Sequence, residues 1–304
     1  MNFKQIAIAA ALLFVAGVSQ GQSIIEQRGV SIPRLYHQNY FFLNPAFAGA
    51  EGRREFGING HLNALPGGTT STAPLAFIAY YHGHVGDTTR NGIGVHMLYD
   101  QFDQFWLGQL GLTYTKRFKF GNRSSLAIGT RLSAKYMNVD LSEMPHPEDE
   151  LGLVGHDSDL RPDVDVGLWL NVRNFYAGAT FASLLEPNFN LLENAERENP
   201  RELFLTAGYR FEITSQASIT PSVFYDKPFK DGKSKLQYGA QANFGFLTAG
   251  AIYRGQFDDV SVWNLNAGVN ISNNFQLLGA FDLNKQVNGE RPDSQIEASM
   301  RVRF

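Results

Sequence analysis

The sequence predicts an all-β protein: a transmembrane outer-membrane β-barrel of about 14 antiparallel strands, preceded by an N-terminal periplasmic or plug segment. Three observations predict it. The chain opens on an export leader, hydropathy alternates with period two through almost everything after residue 50, and the links between strands alternate between tight and long.

Lys4 supplies a short basic region, Ile6 to Val18 is a nearly unbroken apolar run, and Ser19-Gln20-Gly21 places small residues at a cleavage site. Residues 1–21 therefore read as a secretory signal peptide, cut after Gly21. No later stretch approaches the run of about 20 apolar residues that a membrane-spanning helix needs, which excludes a polytopic helical protein. The chain has 304 residues and no cysteine, so disulfide scaffolds, thiolate metal sites and cysteine nucleophiles are excluded. Its net charge of −3, or −4 without the leader's Lys4, leaves no electrostatic footprint for nucleic acid.

Residues 22–52 do not alternate cleanly. They include Tyr40-Phe41-Phe42-Leu43-Asn44-Pro45-Ala46-Phe47-Ala48-Gly49, rich in aromatics and broken by Asn-Pro. Such a segment is expected to fold into or beneath the barrel as a periplasmic-side plug rather than trail as a tail.

From 53 to 304 the pattern is that of strands. In Trp106 to Phe120, Leu110, Leu112, Tyr114 and Phe118 share one parity, while Gln109, Thr113, Thr115 and Arg117 share the other. In a strand these two sets point to opposite faces. Strands are expected near 53–64, 72–84, 91–102, 104–119, 124–139, 162–173 and 174–184. Seven more are expected near 201–213, 217–228, 233–245, 246–257, 260–272, 275–285 and 294–304. Links around 121–123, 172–174, 214–217, 245 and 272–274 are tight, whereas 140–161, 184–201, 226–234 and 286–293 are long or charged. That alternation matches periplasmic turns and extracellular loops; the 84–91 link is somewhat long for a turn. The last strand alternates and ends on Phe304, resembling the signal read by the barrel-assembly machinery.

The apolar parity must meet outer-membrane lipid, so the other parity lines the lumen. It carries Arg131, Lys135, Asp165, Arg210, Glu212, Arg254, Asp282, Arg301 and Arg303. Arg131, Lys135, Asp165, Arg210, Arg254 and Asp282 are expected to form a structural charge network. Tyr114, Phe118, Tyr209, Phe211 and Phe244 fall near periplasmic strand ends, as an interfacial girdle does. The acidic 140–162 loop, with Glu143, Glu148, Asp149, Glu150, Asp157 and Asp159, matches no cation-ligand spacing and reads as a solvated surface. Lys227, Lys230, Lys233 and Lys235 could face it across the barrel mouth. His82, His84 and His96 have no evident nucleophile partner, and phosphate loops and zinc motifs are absent, so no enzyme, cofactor or metal is expected.

Gln38 with Tyr40, followed by Leu43-Asn44-Pro45-Ala46-Phe47-Ala48-Gly49, resembles the N-terminal signature of the PorP/SprF family of outer-membrane proteins. Asp165-Val166-Gly167-Leu168-Trp169, Phe175-Tyr176-Ala177-Gly178-Ala179, Pro221-Ser222-Val223 and Tyr253-Arg254 extend the similarity. The resemblance implies a barrel of the type IX secretion system, supporting export or surface attachment of proteins that bear a C-terminal domain. It also implies partners: a large secreted surface protein, such as a gliding-motility adhesin, and periplasmic secretion-motor components. The competing expectation is a transporter for small hydrophobic compounds, built like the fatty-acid channels. The polar inward parity weighs against it.

Overall fold

The computed structural model describes residues 32–63, 75–86, 90–102, 105–140, 155–191, 195–230, 234–255, 262–284 and 295–304. Residues 1–31, where the export leader is expected, and residues 141–154 of the acidic link lie outside the described residues.

Alternation of apolar and polar residues forces the chain into strands, because only a strand separates the two sets onto opposite faces. The first half runs β1 (Glu55–Asn63), β2 (Leu75–His84), β3 (Asn91–Phe102), β4 (Phe105–Lys119), β5 (Ser124–Asp140), β6 (His156–Val172) and β7 (Phe175–Ala182). A small separate hairpin follows, β8 (Asn188–Leu191) and β9 (Ala195–Glu198). The second half comprises β10 (Glu202–Tyr209), β11 (Phe211–Glu212), β12 (Ala217–Pro228), β13 (Lys235–Phe244), β14 (Leu247–Gly255), β15 (Val262–Asn270), β16 (Phe275–Asn284) and β17 (Gln295–Arg303).

Each strand pairs antiparallel with its neighbours in order, and β1 pairs with β17 from Glu55↔Arg303 to Asn63↔Gln295. That last pairing closes the sheet and removes the unpaired edges that hydrocarbon would not tolerate. β10 and β11 both pair with β12 and form one stave interrupted at Arg210, so the barrel has 14 staves. The β8–β9 hairpin, which the period-two reading left inside a long link, packs beside β6 with Phe189 and Leu191 fully buried.

The faces are inverted relative to a water-soluble protein. On β4, Leu110 and Leu112 are 55% and 62% exposed, while Gln109, Thr113, Thr115 and Arg117 are buried. Outward apolar and inward polar residues repeat around the barrel, the arrangement that lipid demands. Turns such as Arg173–Asn174 join staves at one end, and Gly121 and Gly245 take positive φ (80° and 75°) in theirs. The girdle residues Tyr114, Phe118, Phe211 and Phe244 are all exposed toward that end. Short turns mark it as the periplasmic end.

Candidate functional site

The lumen is filled by residues 32–54. Tyr36–Gln38 forms one 3₁₀ turn, Tyr40–Leu43 a single α-turn and Pro45–Phe47 another 3₁₀ turn. Asn44 stands between the last two in extended backbone (φ −144°, ψ 112°). Its Oδ1 accepts from Ala46 N–H at 2.8 Å, and Pro45 occupies the first helical position, where no N–H is needed. Its Nδ2 donates outward to the Leu168 and Ala179 carbonyls at 2.9 and 3.2 Å. One amide thus caps the turn and pins it to β6 and β7.

Turns this short leave the Phe41, Phe42 and Ala48 carbonyls without a backbone partner inside the plug, and burial makes that costly. The barrel wall supplies the donors. Arg131 donates to the Phe41 and Phe42 carbonyls, Thr115 to Pro45 O at 2.7 Å, and Arg117 to the Ala48 and Gly49 carbonyls at 2.9 and 2.7 Å. Close approach is possible because the wall carries glycine there. A Cβ on Gly129 would collide with Pro45 and Ala46 backbone, one on Gly167 with the Asn44 side chain, and one on Gly92 with the Ala48 carbonyl. Gly94 makes room for the Phe41 ring in the same way.

Aromatic rings complete this side. Tyr40 and Phe47 lie 5.2 and 4.8 Å from Trp169, which stacks on Tyr176 at 5.6 Å and 11°. The Tyr40 and Tyr176 hydroxyls share a 2.6 Å hydrogen bond. Such pairs stabilise beyond their buried area.

The N-terminal limb reaches the opposite wall by charge. Glu297 accepts from the backbone N–H of Arg34 and Leu35 at 2.7 and 3.0 Å and from Asn59 at 2.8 Å. Arg34 Nε donates to Asp282 at 2.7 Å, and Asn264 donates to the same carboxylate. Tyr36 shares a 2.7 Å hydrogen bond with Ser222. Burial, with the Arg301 guanidinium nearby, holds the His37 imidazole down at about 3, so it is neutral.

Beneath the plug, at the periplasmic end, a vestibule of about 990 Å³ remains, lined by plug residues, strand ends and turns.

Residues 27–302 match the family "Type IX secretion system membrane protein PorP/SprF". The chain belongs to that family. No functionally curated protein is similar enough in sequence to match it. Among solved structures it is similar to the TodX monoaromatic hydrocarbon channel in a deletion-mutant form, at 12% identity and a TM-score of 0.54, covering 88% of this chain and 94% of that one. It is also similar to the Ralstonia pickettii toluene transporter TbuX, at 11% identity and a TM-score of 0.52, covering 88% and 93%. A Pseudomonas aeruginosa FadL homologue, at 12% identity and a TM-score of 0.51, covers 88% and 94%. These likenesses show the barrel fold alone.

In this PorP/SprF protein the motif residues Asn44, Pro45, Ala46, Phe47 and Ala48 are buried in the lumen, and Gly49 turns at φ +66° beneath Arg117. Arg131 sits 3.3 Å from Asp165, and Lys135 lies 2.6 Å from Asp163 and 2.9 Å from Ser183. Arg254 lies 3.7 Å from Asp282, which Arg34 also holds. These residues fall into separate groups on different walls. Arg210 joins neither; it is exposed at the break between β10 and β11 and lines the vestibule. Phe304 is 70% exposed beyond β17, its backbone paired with Arg54. Lys230 pairs with Glu198 of β9 at 2.6 Å. His82 and His96 are buried, touching Phe41 and Phe42 of the plug. Among the described residues, no group of three or more His, Asp or Glu could hold a metal.

The period-two reading assigned Thr115, Arg117 and Glu297 an inward parity but no role, and it missed the glycines of the seat. Their signal was present: Gly129 and Gly167 occupy inward positions beside Arg131 and Asp165.

Proposed function

We propose that this protein acts in the type IX secretion system as a plugged interaction barrel, supporting export or surface attachment of a secreted protein through that protein's C-terminal domain. The observation that carries the reading is the way the plug is held. Its backbone carbonyls are taken by buried wall arginines and it fits a row of glycines, so the lumen centre is built as a closed core. A gigantic surface adhesin of gliding motility fits as cargo, and periplasmic motor components fit as partners at the plugged end. Residues 1–21 act as a cleaved signal peptide, residues 22–52 as the plug, and residues 53–304 as the barrel. Phe304 ends the strand read by the assembly machinery. The paired groups around Arg131, Lys135, Asp165, Arg254 and Asp282 serve to hold barrel and plug in one shape.

The competing reading is a transporter for small hydrophobic compounds. Such a protein needs an apolar path beside its plug, whereas the wall opposite the glycine seat carries Gln237, Asn264, Asn266 and Thr248. Crosslinking in cells followed by purification of the barrel separates the two. Recovery of a secreted protein's C-terminal domain, or of periplasmic motor proteins, supports the proposal. Loss of hydrophobic-compound uptake on deletion, with surface secretion intact, overturns it.

A further inference from the structure

The periplasmic vestibule is strongly polarised in charge. Arg53, Lys119, Arg123, Arg173 and Arg210 line it, are exposed, and make no ion pair among the described residues. Arg117, Arg301 and Arg303 line it too, but they are engaged by the plug carbonyls, Gln276 and Glu55. Among the described residues, the acidic groups that stand against them are Glu51, which lies 3.8 Å from Arg303, and Glu212. The whole chain carries a net charge of −3, so this concentration is local and opposite in sign. A concave, low-dielectric wall focuses such a field toward its mouth.

Between the cations the lining is rich in amides: Asn122, Asn171, Asn174, Asn243 and Asn274. Amide side chains donate and accept together, as needed to bond a peptide backbone. Guanidinium groups take carboxylates in bidentate fashion.

We propose that the vestibule is a docking site for an acidic polypeptide segment of a periplasmic protein. The positions of the free cations choose among anions. They stand on the β4–β5 turn, the β6–β7 turn, the β10–β11 break and the exit of the plug, so a ligand must carry several anionic groups to engage them together. Membrane phosphates meet the outer wall, and the vestibule opens inside the ring, where a lipid would have to leave the bilayer. A volume of about 990 Å³ stands at the upper end of the range for ligand sites and admits several residues of extended chain. The inference rests on the secretion-system reading only in expecting a periplasmic partner at this end.

The test uses the full chain purified in a neutral detergent and fluorescence anisotropy of labelled octaglutamate, with octaglutamine and octalysine as controls. Octaglutamate is expected to bind at least about tenfold more tightly than octaglutamine and to weaken steeply as salt rises through about 0.1 M. The double variant Arg173→Gln/Arg210→Gln removes two free cations that hold neither plug nor strand through their side chains. It is expected to weaken octaglutamate about tenfold, while Arg161→Gln, in the part of β6 remote from the vestibule, leaves it unchanged. Heat-modifiable gel mobility verifies that each variant remains a folded barrel. Equal binding of octaglutamate and octaglutamine, or no loss in the double variant, overturns the proposal. Displacement of octaglutamate by micellar phosphatidylglycerol, but not by an acidic protein segment, reassigns the site to lipid and also overturns it. Deletion of the gene tests the secretion reading separately. Normal secretion after deletion sinks that reading and leaves peptide binding standing, whereas defective secretion with no peptide binding sinks the vestibule alone.

Discussion

The two limbs of the plug are held by different physics. Residues 44–49 meet β3–β7 across glycines, with backbone against backbone and a ring cluster closing the gap. Residues 34–36 meet the far wall through a carboxylate, an ion pair and a hydroxyl. The first attachment adds shape to the hydrogen bonds of Asn44, Thr115 and Arg117, and any added carbon disturbs it. The second is a matter of charge, and it tolerates small movements. Among the described residues, polar atoms are buried without a protein hydrogen-bond partner on both walls, as in Gln237, Asn264 and Asn266 on the far side and His96 and Gln109 on the near side.

The largest expected effect comes from the residue that joins plug and wall electrostatically on the near side. Arg131→Met strips donors from two buried plug carbonyls and leaves the Asp165 carboxylate without its ion-pair partner. Breaking a buried pair in this way costs about 3–5 kcal/mol. The measurement is the temperature at which the folded band is lost on a heat-modifiable gel. Arg131→Met/Asp165→Leu should recover part of the loss, since the orphaned charge is gone. If it recovers none, the carbonyl contacts alone carry the effect.

Gly129→Val tests shape without changing charge. The new side chain must occupy the space of Pro45 and Ala46 backbone, and overpacking of this kind costs about 1–3 kcal/mol. The chain has no cysteine, so a single Phe47→Cys reports plug position cleanly. In the Gly129→Val background its labelling by a bulky periplasmic thiol reagent should rise severalfold. Unchanged labelling would mean that the wall, rather than the plug, moves aside, and the contrast between the limbs would lose its basis.

How much of this was legible in the sequence follows from what period two encodes. It reports which face each residue takes, so the 14 staves, the inverted faces and the inward set containing Arg131 and Asp165 could be read directly. It carries nothing about distance across the lumen, since contacts such as Arg131 to Phe41 join residues 90 apart in sequence. That is why the inward residues could be grouped as one charge network although Asp165 and Asp282 lie on different walls. The Asn44–Gly49 motif stood out through its unusual residues. Its seat did not, because glycine in a barrel strand also serves curvature, and only the plug's position distinguishes the two uses. The β8–β9 hairpin was hidden because strands of four residues are too short to display a period.

The next effect is smaller. Asn44→Ala removes the cap on Ala46 N–H and both bonds to the β6 and β7 carbonyls but creates no clash. A lost cap and unsatisfied carbonyls cost about 1–3 kcal/mol. Asn44→Asp keeps the cap but sets a buried carboxylate oxygen against the two wall carbonyls in place of the amide donor, so its melting temperature should fall further than that of Asn44→Ala. A smaller drop for Asn44→Asp than for Asn44→Ala would assign the motif's weight to the cap rather than the wall.

The smallest effect belongs to the charged limb. Glu297→Gln retains one acceptor for the Arg34 and Leu35 N–H groups and gives up the second, a change of about 1 kcal/mol. Barrel stability should hardly move. Thiol labelling of Leu35→Cys should rise in this background, while Phe47→Cys should label at its unaltered rate, because attachments on opposite walls with no shared partner act additively. Equal increases at both positions would show that the limbs move as one rigid piece, and the distinction between a shape lock and a charge lock would have to be abandoned.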